Sequence, residues 1–197
     1  MPLSLDTLLD RIADRTARVG VIGQGYVGLP LAMAICEAEF DVEGYEVDAA
    51  KVERLLAGSS YIGDVPDEQL ARHLETGRFS ATAAFDGLAA QDVISICVPT
   101  PLGKTRDPDV SFILAAVEEV ARRLRPGQLV ILESTTYPGT TEELVLPLLG
   151  RGGLKVGQDY SLCFSPERVD PGNPRFNIQN TPRLVGGITE ACTRAGA

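Results

Sequence analysis

The stretch Arg18-Val-Gly-Val-Ile-Gly-Gln-Gly-Tyr-Val-Gly-Leu-Pro30, with Val42-Glu-Gly-Tyr-Glu46 shortly after it, decides the fold. An apolar strand, Val19-Gly20-Val21-Ile22, runs straight into Gly23-x-Gly25-x-x-Gly28. Leu31-Ala-Met-Ala-Ile35 then continues as a helix, and a second short strand closes on Glu46. Strand, glycine-rich turn, helix and a second strand ending in an acid make the dinucleotide-binding fingerprint in the context it requires. Gly23 permits the tight turn, Gly25 lets backbone approach a pyrophosphate, and Gly28 lets the helix pack closely on the sheet. The helix N-terminus offers free N–H groups and the positive end of its dipole to phosphates. Glu46 stands near the spacing of about 20 residues at which an acid reaches the ribose hydroxyls.

With 197 residues the chain makes one large domain, or a domain plus a fragment. Hydrophobic residues make up 44%, enough for a sizeable core, and no apolar run reaches membrane-spanning length. The start Met1-Pro-Leu-Ser-Leu-Asp6 lacks the basic and apolar regions of a signal peptide, so a cytoplasmic location is expected. A net charge of −9 argues against nucleic acid, whose phosphate backbone needs a basic face. It leaves room for an anionic small ligand held by helix N-termini, backbone N–H groups and a few placed Lys or Arg. Cys36, Cys97, Cys163 and Cys192 form no Cys-x-x-Cys pair and read as buried small hydrophobes. His73 has no ligand cluster around it, so no metal site is expected, and its polar helical stretch places it on the surface.

Residues 4–15 carry Leu5, Leu8, Leu9 and Ile12 on one helical face, with Ser4 as N-cap, and read as a lead-in helix. Strands follow at 18–23, 42–46, about 79–84, 92–98, 128–134 and 160–165, and helices at 25–38, 48–57, 66–76, 110–124 and 139–149. This alternation predicts an α/β fold of the Rossmann type: a doubly wound, mainly parallel sheet with helices on both faces. Pro99–Pro108 and residues 166–182 are long connections just beyond strand carboxyl ends, the edge where open α/β sheets bind ligands. Arg183-Leu-Val-Gly-Gly187 reads as a further short strand, and Thr189 caps a helix that has only begun when the sequence stops. The expected organisation is a lead-in at 1–17, a dinucleotide-binding domain at 18–187 and the start of a truncated connecting helix at 188–197.

Five blocks occur in order: Gly23-Gln-Gly-Tyr-Val-Gly-Leu-Pro30, Cys97-Val-Pro-Thr-Pro-Leu102, Glu133-Ser-Thr-Thr-Tyr-Pro-Gly-Thr-Thr141, Phe164-Ser-Pro-Glu-Arg-Val-Asp-Pro-Gly-Asn173 and Leu184-Val-Gly-Gly187. Together they resemble the N-terminal NAD-binding domain of the UDP-glucose/GDP-mannose dehydrogenase family. Ser165-Pro-Glu-Arg168 and the pair Pro108-Asp109 look most like members acting on UDP-N-acetylhexosamines, N-acetylglucosamine first and N-acetylmannosamine next.

The resemblance implies NAD as cofactor and a UDP-sugar as substrate, whose C6 alcohol is oxidised to a carboxylate by two NAD in succession. The implied route passes through an aldehyde-level adduct and a thioester on a cysteine. Implied cofactor contacts are Gly23, Gly25, Tyr26, Val27 and Gly28 at the turn, Glu46 on the adenosine ribose, and Lys51 toward the adenine. The resemblance implies Val98, Pro99 and Thr100 on the nicotinamide ribose side, with Ser134 and Thr135 as further cofactor contacts. Glu46 favours NAD over NADP, because a 2′-phosphate would face a carboxylate. Thr135 and Glu167 are the implied catalytic residues, Glu167 as general base through a water that Thr135 helps to hold. Glu167 and Arg168 are implied substrate contacts. Arg168 reads equally as a phosphate ligand or as the partner of Asp170, and Lys104 and Arg106 as solvated charges or substrate contacts.

Two departures from the family pattern stand out. The glycine-flanked motif of the catalytic cysteine, the substrate-binding lysine and the central dimerising helix are missing, and Cys192 is no substitute nucleophile. The chain is therefore expected to bind NAD without turnover, and the full-length protein to form homo-oligomers through its C-terminal half. Glu46 replaces the Asp of many relatives, one methylene longer. A UDP-glucose enzyme, a non-catalytic NAD-binding module and a β-hydroxyacid dehydrogenase are the alternatives.

Overall fold

The computed structural model describes residues 5–102, 108–168, 175 and 180–197. Ser4, Lys104, Arg106 and Asp170 lie outside the described residues. Seven strands, β1 (Arg18–Ile22), β2 (Asp41–Tyr45), β3 (Phe79–Thr82), β4 (Val93–Ile96), β5 (Leu129–Leu132), β6 (Ser161–Phe164) and β7 (Gly186–Gly187), form one sheet. Their order is β3-β2-β1-β4-β5-β6-β7; β1 to β6 pair in parallel and β7 runs antiparallel to β6. The chain winds outward from β1 to β3, then crosses back to place β4 on the other side of β1. That reversal opens a crevice at the carboxyl ends of β1 and β4.

The helices are α1 (Leu5–Ala13), α2 (Gly28–Glu37), α3 (Ala49–Leu56), α4 (Asp67–Glu75), α5 (Ser111–Ala121), α6 (Leu146–Leu149) and α7 (Glu190–Gly196). Neighbouring residues of a strand point to opposite faces, so a sheet covered on both sides needs apolar residues at almost every position. Val19, Val21 and Val42 bury against Leu29, Met33 and Cys36 of α2, Leu55 of α3 and Leu70 of α4. Ile94, Ile96, Val130, Leu132 and Leu162 bury against Ile113, Val117 and Val120 of α5 and Leu149 of α6. Leu8 of α1 and Cys192 and Ala195 of α7 close a third cluster over Leu129 and Cys163. Asp92, 1% exposed, accepts the Arg18 N–H, Arg11 Nη1 and Arg125 Nη2, each at 2.9 Å, and so ties α1 to the start of β4.

The α/β alternation expected from the pattern is present, with ends shifted by a few residues. The helix expected over 139–149 differs in kind: Thr140–Val145 winds as a wide π turn before α6. Pro147 has no N–H to return to the Glu143 carbonyl, and the turn ahead of it widens. Only Gly186–Gly187 of the strand expected at 183–187 pairs with β6. A 3₁₀ turn, Phe85–Ala90, was not foreseen. His73 is a correction: expected on the surface, it is 4% exposed. It shares the inward face of α4 with Leu70, three residues earlier, and its Nε2 lies 3.2 Å from Glu37 Oε1. All four cysteines are buried and unpaired by disulfides. Among the described residues no helix is long and apolar enough to cross a membrane, and no cluster of His, Cys, Asp and Glu is arranged to hold a metal.

Candidate functional site

The three fingerprint glycines are required for different reasons. Gly23 has φ +89°, and a Cβ there would stand 2.6 Å from the Cys97 carbonyl oxygen. A Cβ on Gly28 would stand 1.8 Å from the Gly23 carbonyl oxygen. A Cβ on Gly25 would meet nothing within 4 Å. The protein's own packing thus explains Gly23 and Gly28, while the space beside Gly25 is open and belongs to the cleft. Val27 at the start of α2 offers no side-chain cap, the Leu29 N–H donates to the Gly25 carbonyl at 3.1 Å, and Pro30 carries no N–H. Two hydrogen bonds brace the turn: Gln24 Nε2 donates to the Val21 carbonyl and the Tyr61 hydroxyl to the Gln24 carbonyl, both at 2.8 Å.

Glu46 follows β2 and is 7% exposed. Its Oε2 accepts the Gln24 N–H and its Oε1 the Asp48 N–H, both at 3.2 Å. A carboxylate has lone pairs to spare after two such bonds, so it is oriented yet still able to accept hydroxyls. Asp48 caps α3 through the Ala50 N–H at 3.0 Å, which fixes the loop that carries the acid. Lys51 Nζ sits 3.9 Å from Glu46 Oε2 and over the Tyr61 ring.

A cleft of about 600 Å³ runs from Glu46, Val47 and Lys51 past Gly23–Val27 to Cys97–Thr100, Glu133–Thr135 and Glu167. That volume suits a ligand of cofactor size. It collects Gly23, Gly25, Tyr26, Val27, Glu46, Lys51, Val98, Pro99, Thr100, Ser134, Thr135 and Glu167. Gly28 is not on its wall, because it packs against the turn, and Arg168 is exposed beside it. The Arg168 N–H donates to Glu167 Oε1 at 2.7 Å. The β4 and β5 ends are laced together: the Val98 N–H donates to Ser134 Oγ at 3.0 Å, and the Thr100 hydroxyl to the Thr135 carbonyl at 2.6 Å.

Several wall residues escaped the sequence reading. Phe85, stacked on Tyr45 at 5.6 Å between ring centroids, and Phe112, Ala115 and Glu119 of α5 also line the cleft. Glu133 opens the third of the five blocks. It accepts the Ser95 hydroxyl at 2.7 Å and pairs with Arg183. The available signal was an acid ending the otherwise apolar run Leu129-Val-Ile-Leu132. Burial, reinforced by the Glu133 charge, pushes the Cys97 thiol well above its ordinary pKa, so this cysteine stays protonated and is no nucleophile.

A crevice at the switch point of a doubly wound sheet, with a ligand-ready glycine turn and a fixed acid after β2, defines a dinucleotide-binding domain. The chain belongs to the UDP-glucose/GDP-mannose dehydrogenase family, whose NAD binding domain matches residues 17–197. It is 36% identical over 174 residues to the UDP-N-acetyl-D-mannosamine dehydrogenase of Pyrococcus horikoshii, covering 88% of this chain and 41% of that protein. It is 32% identical over 173 residues to the UDP-N-acetyl-D-glucosamine 6-dehydrogenase of Pseudomonas aeruginosa, covering 87% and 40%. The crystal structure of an NDP-N-acetyl-D-galactosaminuronic acid dehydrogenase from Methanosarcina mazei Go1 superposes with a TM-score of 0.87 at 34% identity, over 100% of this chain and 44% of that one. The chain thus spans about two fifths of the length of these curated relatives.

Proposed function

We propose that this chain is the cofactor-holding part of a cytoplasmic nucleotide-sugar 6-dehydrogenase that oxidises the C6 alcohol of a UDP-N-acetylhexosamine to a carboxylate. The observation that carries this reading is the continuity of one cleft from Gly25 and Glu46 to Thr135 and Glu167. NAD, when bound, supplies the hydride acceptor. Gly25 and the first turn of α2 take the pyrophosphate, Glu46 takes the adenosine ribose, and Lys51 flanks the adenine. Val98, Pro99, Thr100, Ser134 and Thr135 line the nicotinamide ribose side. Glu167, oriented by the Arg168 N–H, takes a proton from water at a carboxylate oxygen, and the Thr135 hydroxyl holds that water. Arg168, exposed at the rim, is placed to meet a substrate phosphate. The catalytic cysteine and the oligomer contacts belong to a C-terminal half, to which residues 188–197 begin the connecting helix.

Two measurements test this. NAD at a hundredfold excess over its Kd is expected to stabilise this chain by about 2.7 kcal/mol, seen as a raised melting temperature. No rise at millimolar NAD would remove the cofactor reading. NADH production by the protein carrying the C-terminal half is expected with UDP-N-acetylglucosamine or UDP-N-acetylmannosamine and not with small hydroxyacids, this chain alone giving none. Turnover by this chain unaided would overturn the division of the active site.

A further inference from the structure

The β4–β5 end of the cleft contains an ion pair that the glycine fingerprint does not require. Glu133 is 4% exposed, lines the cleft, and gives one oxygen to the Ser95 hydroxyl and the other to Arg183 Nη1. Ser95 Oγ lies 3.5 Å from Cys97 Sγ, so the pair stands beside the residue on which the Gly23 turn packs. The Arg183 side chain is 27% exposed, yet its Nη2 is buried without a hydrogen-bond partner. Desolvating such a pair gains little stability over an apolar replacement, and the rest of β5 is already Leu129-Val-Ile-Leu132. Packing alone therefore does not account for it.

A nicotinamide ring is cationic in NAD+ and neutral in NADH, so a net charge near it favours one redox form. We propose that Glu133 and Arg183 tune the redox-state selectivity of this site: as a matched pair they add no net charge of their own at the nicotinamide half, and so by themselves favour neither form. The inference rests on the reading above that the nicotinamide lies at the β4–β5 end. An enzyme that consumes two NAD in succession exchanges NADH for NAD+ between steps. An unmatched Arg183 would retain the NADH, and an unmatched Glu133 would favour NAD+. Glu167, the other acid on this wall, is common to all variants and cancels in their comparison.

The test measures Kd for NAD+, NADH and ADP-ribose by calorimetry on the 197-residue chain. Glu133→Gln is expected to shift the NAD+ to NADH preference at least about fivefold toward NADH, and Arg183→Gln about as far toward NAD+. The double variant, neutral again, is expected to return to within about twofold of wild type. ADP-ribose, which lacks the ring, keeps its affinity throughout. Glu133→Gln retains a carbonyl for the Ser95 hydroxyl and carries the test alone if Arg183→Gln does not fold. Equal weakening of both redox forms, or a double variant further from wild type than either single, would reduce the pair to a structural brace and overturn the proposal. If wild type binds ADP-ribose and the ratio stays fixed in every variant, the cofactor reading stands and this inference falls. If wild type binds none of the three ligands, both fall.

Discussion

Gly25 has open space where a side chain would stand, whereas Gly28 is pressed against the Gly23 carbonyl. Gly25→Ala is therefore expected to melt within about 0.5 kcal/mol of wild type while losing at least about tenfold in NAD affinity. Gly28→Ala is expected to lose about 3 kcal/mol or more of stability, because two backbones must part. Thermal melts paired with NAD titration distinguish the two, and a Gly25→Ala chain that binds normally would remove the pyrophosphate from this turn. If Glu46 takes the ribose as proposed, Glu46→Gln is expected to lose about 1.4 kcal/mol, or tenfold in NAD Kd, with a smaller penalty against NADP. Titration with both cofactors checks the direction. These residues are legible in the sequence because each answers a local need within one turn. Glu133 and Arg183 are 50 residues apart, and Phe85 and Phe112 reach the wall from separate elements, so no local pattern announces them.

The elements owe their places to a few long-range ties. Asp92 draws α1 onto the sheet through Arg11 and anchors the turn before β5 through Arg125. Asp92→Ala is expected to cost about 2–3 kcal/mol in chemical denaturation, less than a fully buried pair because both arginines reach solvent. Thr189 caps α7 through the Cys192 N–H at 3.2 Å, and Thr189→Ala is expected to cost about 1 kcal/mol. Hydrophobic periodicity found the regular helices and the sheet strands, since period and burial come from the same alternation. It misread the π turn before Pro147, whose cause is a missing donor, and His73, whose polar sequence neighbours conceal an inward face.

At the scale of the molecule, burial is the leading cause that raises the Cys163 thiol from 9.0 to about 11 and the Cys36 thiol to about 12. Burial likewise raises the Tyr160 phenol to about 12 and holds the Tyr45 and Tyr61 phenols above their ordinary range. Above about pH 9 the unfolded chain releases protons that the folded chain keeps, so stability is full below that pH and falls as pH rises toward 11. Urea midpoints from pH 7 to 10.5 are expected to stay level and then decline. A thiol reagent at pH 8 is expected to leave all four buried cysteines untouched until the chain unfolds.

The sequence by itself determined the strand–glycine turn–helix–strand–acid order, the doubly wound sheet and the family, because these rest on backbone requirements and burial periods written into neighbouring residues. Tertiary structure alone decided which glycine packs against its own backbone and which faces the open cleft, which distant side chains complete the cleft wall, and that Glu133 meets Arg183 there. Those outcomes depend on how β4, β5 and the segment before β7 come together, and proximity between residues far apart in the chain exists only once the sheet has formed.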